Sequence, residues 1–427
     1  MIHKYLYEFL MWLSKPLVRP VLALRRRKGL ETSDPKRRGE RFGRASLPRP
    51  RGRIFWFNAA SVGESSSIIP VVDKVLERYP DAHALITTTT MGGAENMAKK
   101  LVGKRAFHQF LPVDRGAYVR RFLDYWKPSL GFFVDSDFWP NMIMEAKKRS
   151  IPLILLNGRI SERSHARWGR HKPFAKELMG GFIYSFAKSE DNRARLAGMG
   201  LSPACVGDLK YGVPPLKADE AALKDFAKQV GGRPVWVAAS THEGEEELLS
   251  ASHKIVIAAF PDALLVIAPR SVKRGPEIKE MLEAKGLKVA LRSAGEKITE
   301  GTAVYVADTM GELGLFFRAS KIAFVGNSLF DRNLTGHNGI EPARLGAAVL
   351  SGRYYNDVRE TYEILLKDDA AIIVENENDL GAKVSELLSD SERLAGYCER
   401  ALSVAEREAA VLDRVISNLD PILSSVK

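Results

Sequence analysis

Glu64 is a candidate general base because of the segment that presents it. Residues 54–60 form a short apolar run typical of a β-strand, and Ser61-Val62-Gly63-Glu64 then leads into a helix-like segment. A strand that stops at a glycine turn and continues as a helix places the turn at the carboxyl edge of a parallel sheet, where α/β proteins bind ligands. A carboxylate at the start of a helix can cap free N–H groups or remove a proton from a substrate. The segment alone leaves both interpretations open.

Two further acids follow a second apolar run. Asp135 and Asp137 lie between the strand-like residues 129–134 and Trp139-Pro140-Asn141, and Lys210 lies in a later segment rich in glycine and proline. Acids separated by one residue can hold a divalent metal, form a catalytic carboxylate pair, or orient a neighbour and cap the next helix. The spacing alone leaves these roles open.

Four loops in the second half of the chain carry groups suited to binding an anion. Three of them follow strand-like runs and the third in order is predicted as a strand-to-helix turn; arginine, helix N-termini and a carboxylate for a ribose diol are the groups they offer. The loops contain Ser240-Thr241-His242, then Pro269 and Arg270, then Gly311, Glu312 and Leu313, and finally His337, Asn338, Gly339, Ile340 and Glu341. Each residue alone has a structural explanation, such as a surface ion pair or a helix cap. The four loops together predict a nucleotide site, although the glycine triplet of dinucleotide-binding folds is absent.

The elements that must position these residues alternate between strand and helix. Strand-like runs recur at residues 82–89, 129–134, 152–157 and 182–187 in the first half, with Gly92-Gly93 predicted as a turn before a helix at 94–101. Further strand-like runs recur at residues 235–239, 263–268, 321–325 and 347–350 in the second half. Such alternation predicts parallel sheets covered on both faces. We therefore expect an α/β, GT-B-like fold of two Rossmann-like domains with a ligand cleft between them.

Length and composition support two domains. A chain of 427 residues exceeds one ordinary core, and 45% hydrophobic with 27% charged residues is typical of a folded globular protein. The expected boundaries are an N-terminal arm at 1–53, a first domain at 54–210, a hinge at 211–217, a second domain at 218–378 and helices at 379–427. The two cysteines, Cys205 and Cys398, match no metal or redox spacing, which favours a reducing compartment.

The positive charge of the chain is concentrated in the N-terminal arm. Residues 1–53 contain 15 Lys and Arg against 4 Asp and Glu, whereas the rest contains 49 basic and 48 acidic residues. Residues 5–24 are rich in apolar and aromatic side chains but are interrupted by charges and prolines, and basic runs follow at 25–28 and 36–38. This pattern predicts an amphipathic segment lying on an anionic membrane, with a soluble helix packed on the body as the alternative. Stacking aromatics are not interleaved with the basic residues, so we expect no nucleic-acid partner.

Taken together and in this order, these segments resemble the Kdo (3-deoxy-D-manno-octulosonic acid) transferases of lipopolysaccharide assembly, glycosyltransferases of the GT-B type. The resemblance spans roughly seventy per cent of the chain, about residues 54–350. It is carried by Ser61–Glu64, Thr87–Thr90, Leu111–Asp114, Trp139–Asn141, Arg159–Ser161, Ser240–His242, Pro269-Arg270, Gly311–Leu313 and Gly336–Pro342.

The resemblance implies transfer of Kdo from CMP-Kdo to the anionic lipid A precursor, lipid IVA, with inversion and without a metal or other cofactor. It implies that Glu64 is the general base and that Asp135, Asp137 and Lys210 support the transition state. Residues expected to line the CMP site are Pro269, Arg270, Gly311, Glu312, Leu313, His337, Asn338, Gly339, Ile340 and Glu341. The expected location is the cytoplasmic side of the inner membrane, peripheral or anchored by the arm.

The chain departs from the family pattern at several positions, and other functions remain open. Asp135-Ser136-Asp137 replaces a usual Glu-Thr-Glu, and Ser271 replaces a common histidine. Thr335 replaces a glycine that is frequent in the family, and Gly158 replaces a frequent alanine. The alternatives are a GT-B enzyme that uses a UDP-sugar and a non-catalytic nucleotide-binding scaffold.

Overall fold

The computed structural model describes residues 7, 9, 11–332 and 335–425. The chain divides into two compact units, Met1–Val213 with Glu408–Lys427, and Pro214–Arg407. The division falls inside the segment 211–217 that the sequence predicts as a hinge. The predicted C-terminal segment 379–427 is shared between the two units, and its last helix belongs to the first unit.

The first unit is built on parallel strands that are mostly buried. They are β1 (Arg53–Asn58), β2 (Ala82–Thr88), β3 (Ala106–Phe110), β4 (Leu130–Val134), β5 (Leu153–Gly158), β6 (Phe182–Ala187) and β7 (Ala204–Cys205). Their order across the seven-stranded sheet is β3-β2-β1-β4-β5-β6-β7, and neighbouring strands are parallel. This is the doubly wound order of Rossmann-like folds, so the predicted fold is confirmed for this unit.

The helices of the first unit connect these strands. They are α1 (Lys15–Arg27), α2 (Val62–Ser67), α3 (Ile69–Arg78), α4 (Met91–Lys100), α5 (Gly116–Trp126), α6 (Pro140–Lys148), α7 (Glu162–Gly169), α8 (Lys172–Met179) and α9 (Glu190–Gly198). Gly92 and Gly93 lie inside the first turn of α4, so the prediction of a turn there is wrong. The reason is Thr90, whose side chain caps the helix by accepting a hydrogen bond from the Gly93 N–H at 3.1 Å.

Aromatic side chains fix the central strand of this sheet. Trp56 packs against Phe122 and Phe133 with ring centroids 5.2 and 5.1 Å apart. Its indole N–H donates to Thr87 Oγ1 at 2.9 Å, so the buried donor is satisfied. Because β1 is buried from Ile54 to Asn58, it forms a rigid support for the turn that follows it.

The second unit has the same plan. Its strands are β8 (Val235–Thr241), β9 (Leu264–Pro269), β10 (Val289–Leu291), β11 (Val304–Val306), β12 (Ile322–Val325), β13 (Ala348–Gly352) and β14 (Ala371–Val374). They form a second parallel sheet in the order β10-β11-β9-β8-β12-β13-β14. Trp236 packs in a core on one face of this sheet and Val237 in a core on the other, as expected for a sheet covered on both sides.

The helices of the second unit, and the last helix of the chain, complete the fold. They are α10 (Glu220–Val230), α11 (Glu245–Ala259), α12 (Gly275–Ala284), α13 (Leu313–Ala319), α14 (Ile340–Ala343), α15 (Arg359–Lys367), α16 (Glu377–Ser389) and α17 (Ser391–Ala409), followed by α18 (Val411–Ser425).

The apolar runs of the sequence do not predict β3, β7, β10, β11 or β14. These strands contain two to five residues, and four of them lie at the edge of a sheet. An edge strand pairs on one side only, so it can be short and partly exposed and carries little pattern. The central strands, which are buried on both faces, are the ones that the sequence predicts.

The N-terminal helix α1 has two apolar faces. The predicted interfacial segment, residues 5–24, lies partly outside the described residues. Within α1, Val18 and Leu22 are buried, whereas Leu17, Val21 and Leu24 are 62%, 52% and 54% exposed. Among the described residues, no helix is both long enough and apolar enough to span a bilayer.

One buried carboxylate organises the loops of the second unit. Glu245, at the start of α11, is 1% exposed. Its Oε2 accepts hydrogen bonds from the backbone N–H groups of His242 and Asn327 at 3.0 and 2.6 Å. Its Oε1 accepts from the N–H groups of Ser328 and Leu329 at 2.8 and 3.1 Å. Glu245 therefore joins the loop after β8 to the loop after β12.

Replacing Glu245 with alanine should strongly destabilise the second unit. The change leaves four buried N–H groups without their acceptor, which we expect to cost about 3 kcal/mol or more in unfolding free energy. Urea unfolding followed by circular dichroism measures the loss. Glu247→Ala, on the exposed side of the same helix, removes only a 2.7 Å surface ion pair with Lys285 and should have little effect on stability. Equal losses in the two variants would contradict the role given to Glu245.

Candidate functional site

The candidate residues follow the pair of neighbouring strands in each sheet from which the chain connections proceed in opposite directions. In the first unit, chain connections run one way from β1 and the other way from β4, and these strands are neighbours. In the second unit, β8 and β12 hold the same positions. Ligands bind at the carboxyl ends of such strand pairs because the diverging connections leave a crevice there. Glu64 follows β1 and Asp135 follows β4, while His242 follows β8 and His337 follows β12.

Glu64 both caps a helix and presents a carboxylate. It lies in the first turn of α2, where Ser61 Oγ accepts a hydrogen bond from the Glu64 N–H at 3.3 Å. In return, Glu64 Oε2 accepts from the Ala60 N–H at 2.7 Å and Glu64 Oε1 accepts from the Ser61 hydroxyl at 2.9 Å. This is a variant of the capping box. Each carboxylate oxygen uses one acceptor position, so a second lone pair on each can accept from a substrate.

Threonines from the next strand hold the turn in place. The Thr89 N–H and hydroxyl donate to the Ala60 carbonyl at 3.1 and 3.2 Å, and the Thr90 hydroxyl is 3.4 Å from the same oxygen. The family motif Thr87–Thr90 therefore orients the Glu64 turn through Ala60.

Asp135 is buried and held in an unusual backbone conformation. Its φ is +57°, in the left-handed region, and its side chain is 8% exposed. Asp135 Oδ1 accepts a hydrogen bond from Asn157 Nδ2 at 2.9 Å. Burial, together with the charges of Asp208 and Glu64, raises the pKa of Asp135 to about 6 despite this hydrogen bond. The sequence therefore positions a carboxyl group that changes protonation near neutral pH.

Asp137 is a second acid of the same kind. Burial raises its pKa to about 7, and the negative charges of Glu64 and Asp135 contribute to the increase. Its Oδ2 is buried and has no hydrogen-bond partner among the described residues. Since Glu64 influences both aspartates, the structure brings the three predicted acids together. A buried carboxyl oxygen without a partner is an atom that a ligand can satisfy.

Lys210 reaches the same site from the end of the first unit. It lies in the short 3₁₀ helix Leu209–Gly212, is exposed, and lowers the pKa of Asp135 by its positive charge. Asn157 Oδ1 accepts a hydrogen bond from the Leu209 N–H at 2.9 Å, so Asn157 links this segment to Asp135. The sequence reasoning missed Asn157 and Asp208. No spacing or charge pattern in the sequence marks either residue.

Asp114 fixes the start of the helix that follows the acids. Its carboxylate accepts hydrogen bonds from the backbone N–H groups of Asn141 and Met142 at 3.0 and 2.9 Å, and from the Tyr7 hydroxyl at 2.7 Å. The motifs Leu111–Asp114 and Trp139–Asn141 are therefore in direct contact through Asp114. Tyr7 ties the N-terminal arm to this contact, which the sequence did not predict.

The second unit contains a pair of histidines beside an arginine. His242 Nε2 and His337 Nε2 are 3.1 Å apart, and the rings stack with centroids 5.3 Å apart. Arg270 follows Pro269 at the end of β9, and its backbone N–H donates to the Thr241 carbonyl at 3.0 Å. The positive charge of Arg270 lowers the pKa of both histidines after the larger effect of burial. Three of the four predicted loops therefore meet at this point.

Residues after His337 have mixed roles. Asn338 Oδ1 caps α14 by accepting a hydrogen bond from the Ile340 N–H at 3.0 Å, and Ile340 is 1% exposed. Gly339 packs in the core, where an added Cβ would lie 3.1 Å from Leu365 Cδ1. Desolvation raises the pKa of Glu341, and the charge of Arg270 opposes this. Glu341 thus lies near Arg270, whereas Ile340 and Gly339 contribute packing.

The fourth predicted loop is engaged in an ion pair. Glu312 Oε2 accepts a hydrogen bond from Arg292 Nε at 2.6 Å, and the Thr309 hydroxyl also donates to it. Gly311 adopts a φ of +85°, which favours glycine, and Leu313 begins α13. Arg292 is a residue that the sequence reasoning did not single out. Its role here is to hold the carboxylate of Glu312.

A metal centre was one of the open roles for Asp135 and Asp137. Across the described parts of the chain, no three or more His, Cys, Asp or Glu side chains are arranged to hold a metal ion. Cys205 and Cys398 are both free thiols.

Replacing Asp137 with asparagine should stabilise the first unit at alkaline pH. A carboxyl whose pKa is raised from 3.8 to about 7 by folding costs no stability below pH 4, and its cost grows as the pH rises toward 8. We expect Asp137→Asn to gain roughly 1–3 kcal/mol at pH 8 and almost nothing at pH 4. Urea unfolding at both pH values measures this difference. Asp191→Asn, on exposed α9, is the control, and a pH-independent effect at Asp137 would contradict the prediction.

Comparison with known proteins identifies the family. The family described as "3-Deoxy-D-manno-octulosonic-acid transferase (kdotransferase)" matches residues 36–213. The chain is 37% identical over 357 residues to a probable mitochondrial 3-deoxy-D-manno-octulosonic acid transferase of Arabidopsis thaliana, covering 81% of this chain and 79% of that protein. It is 31% identical over 412 residues to the 3-deoxy-D-manno-octulosonic acid transferase of Haemophilus influenzae, covering 92% and 94%.

Solved structures support the fold at low identity. A putative UDP-N-acetylglucosamine 2-epimerase from Listeria monocytogenes aligns with a TM-score of 0.60 at 12% identity, covering 88% of this chain and 98% of that one. A glycosyltransferase from Rickettsia africae aligns with a TM-score of 0.59 at 12% identity, covering 88% and 100%. These likenesses agree with the predicted GT-B-like fold of two parallel α/β sheets. The sequence relatives lead to one conclusion: the chain belongs to the 3-deoxy-D-manno-octulosonic acid transferase family.

Proposed function

We propose that the protein transfers Kdo from CMP-Kdo to lipid IVA, with inversion and without a metal. The observation that carries the proposal is that Glu64, after β1, meets Asp135 and Asp137, after β4, with Lys210 beside them, in a member of this family. Transfer to a sugar hydroxyl needs a base near a group that can bind the acidic donor sugar. The first unit offers both.

Glu64 is the general base of this proposal. A sugar hydroxyl is a very weak acid, so a carboxylate must accept its proton as the new bond forms. The hydrogen bonds from Ala60 and Ser61 fix both oxygens of Glu64 and leave a lone pair on each. The capping role and the catalytic role are therefore compatible in one side chain.

Asp137 and Lys210 are proposed to receive the carboxylate of Kdo. With a pKa of about 7, Asp137 carries a proton for part of the time at neutral pH, and its buried Oδ2 can then take part in a hydrogen bond to an anion. Lys210 adds a positive charge beside Asp135. A partly protonated acid and a cation are groups that can bind the carboxylate of an anionic sugar.

The loops of the second unit are proposed to hold CMP. The leaving CMP is a phosphate monoester anion, which Arg270 and backbone N–H groups can stabilise without a metal. Glu341 is near Arg270 and is the candidate acceptor for a ribose diol. The proposed CMP-lining set also includes Gly311, Glu312 and Leu313, as the family resemblance implies.

We further propose that α1 lies on the cytoplasmic face of the inner membrane. Its exposed apolar residues and a basic pocket of about 710 Å³ lie on the same part of the first unit. Lys15, Arg19, Arg38, Arg44 and Arg121 line this pocket, and none forms an ion pair with a carboxylate among residues 11–332 and 335–425. The basic residues that do not line this pocket include Arg25, Arg26 and Arg37.

Basic residues of the runs 25–28 and 36–38 make contacts within the first unit. Arg37 pairs with Glu40 at 2.9 Å, Arg25 lies 3.8 Å from Glu31, and Arg26 donates to the Thr32 carbonyl. The cations available to an anionic surface therefore come from positions far apart in sequence, which adds support for a folded membrane-binding face over a simple polybasic tail.

Mass analysis of lipid products tests the proposed reaction. Purified protein given CMP-Kdo and lipid IVA should yield lipid IVA that is heavier by whole Kdo units, and UDP-sugars should yield no product. Glycosylation from a UDP-sugar would favour the other GT-B function, and no product from any donor would favour a non-catalytic scaffold.

Glu64→Gln tests the base in the same assay. The amide cannot accept the proton, so turnover should fall by about 100-fold or more while CMP binding is unchanged. Glu77→Gln is the matched control, since Glu77 is exposed and only 3.4 Å from Lys74 in a surface pair. Normal turnover in Glu64→Gln would contradict the assignment.

Charge reversal tests the membrane proposal. Lys15→Glu with Arg19→Glu should weaken binding to vesicles that contain phosphatidylglycerol by at least about tenfold, since each juxtamembrane charge contributes about 1 kcal/mol. Co-sedimentation measures the binding. Lys224→Glu with Lys254→Glu, two exposed positions in the second unit, makes the same change in net charge and should have little effect. Equal losses in both double variants would show that net charge alone acts.

A further inference from the structure

The histidine pair of the second unit can hold only one proton between its facing nitrogens. His242 Nε2 and His337 Nε2 are 3.1 Å apart, so one ring donates and the other accepts. A proton on both facing nitrogens would place two N–H groups against each other. The contact is therefore lost when both facing nitrogens carry a proton.

The two rings are held by rigid loops. The backbone N–H of His242 donates to the buried carboxylate of Glu245 at 3.0 Å. The loop before His337 is fixed at Gly336, whose N–H donates to the Asn327 carbonyl at 2.6 Å and whose φ is +87°. The Tyr362 hydroxyl donates to the His337 carbonyl at 3.3 Å. The short nitrogen–nitrogen distance is thus imposed by backbone on both sides.

Charged groups of both signs surround the pair. Glu245 is occupied by four backbone N–H groups, and Glu246 is paired with Arg274 at 2.9 Å. Arg270 and Arg332 add positive charge, and neither forms an ion pair with a carboxylate in the described part of the chain. Glu341 lies on the Arg270 side.

The titration of both rings agrees with these surroundings. Burial, then the neighbouring His242 and Arg270, lower the pKa of His337 to about 4. Burial also lowers the pKa of His242, with Glu245 opposing and Arg332 contributing. At neutral pH the ligand-free pair therefore carries no extra proton.

We propose that the His242–His337 pair takes up one proton when a phosphate monoester binds beside Arg270, and that the resulting imidazolium stabilises the leaving phosphate. This inference rests on the proposed function, in which these loops hold CMP. The proton comes from solvent and binds the accepting Nε2. The hydrogen bond between the rings is then lost, and each Nε2–H can donate to a phosphate oxygen.

The proposed proton uptake follows the charge change of the reaction. The phosphodiester of the donor carries one negative charge, whereas the departing monoester carries two near neutral pH. When the bond between the sugar and the phosphate oxygen breaks, the second charge develops on the leaving group. A pair that becomes cationic in response stabilises the transition state and product more than the bound donor, which is the requirement for catalysis.

Calorimetry of CMP binding to the full-length protein tests the inference. Titrations at pH 7.5 in HEPES, Tris and PIPES give observed enthalpies whose slope against the ionisation enthalpy of the buffer is the number of protons taken up. We expect uptake of about 0.5 to 1 proton for CMP, and none for cytidine, which has no phosphate. His337→Asn and His242→Asn should each reduce the uptake by more than half and weaken CMP binding by at least about tenfold. His171→Asn, at an exposed position in the first unit, should match the unmodified protein.

The outcomes separate this inference from the proposed function. CMP binding with no dependence of enthalpy on buffer would overturn the proton uptake and leave the donor site intact. Unchanged uptake in both histidine variants would overturn the assignment to this pair. A lack of any CMP binding would overturn the proposed donor site, and the inference with it.

Discussion

Unpaired backbone N–H groups at the carboxyl ends of parallel strands are the constraint on which both sites depend. Strand pairing stops there, yet the loops stay partly buried, so their N–H groups need other acceptors. Acidic side chains supply them: Glu64 accepts from Ala60, Asp114 accepts from the start of α6, and Glu245 accepts from four loop residues. The same carboxylates hold the loops rigid enough to place reactive groups.

The two units place acidic groups in one case and basic groups in the other at equivalent positions of their sheets. The first collects acids whose mutual repulsion and burial raise the pKa values of Asp135 and Asp137 toward neutrality. The second collects imidazoles and an arginine, where burial lowers the pKa values of His242 and His337. Each shift moves a group toward its uncharged form, because a ligand-free site leaves its charges poorly solvated. An anionic ligand would favour the protonated form of the aspartates and of the histidines alike, which supports the proposal that the sites receive an anionic sugar and its phosphate leaving group.

The sequence predicted most where local patterns have physical causes of short range. Buried central strands and the helices after them follow from apolar runs and from turn residues, and these were located to within a few residues. Short edge strands such as β3 and β10 were missed because one-sided pairing needs few apolar residues. The helix start at Thr90 was missed because a cap depends on a single hydroxyl. For the site, Glu64, Asp135 and Asp137 were found as polar residues at strand ends, whereas Asn157 has no pattern around it.

By itself, the sequence determined the α/β class, the family resemblance and the residues at the strand ends, because strand periodicity and motif order are written along the chain. The tertiary structure decided which of those residues meet. It joined Asp114 to the start of α6, set His242 against His337, and drew the free cations of the basic pocket from distant positions. It also assigned Arg37 to an internal ion pair. These outcomes depend on distances between segments that are remote in sequence, which only the packing of the two sheets and their helices fixes.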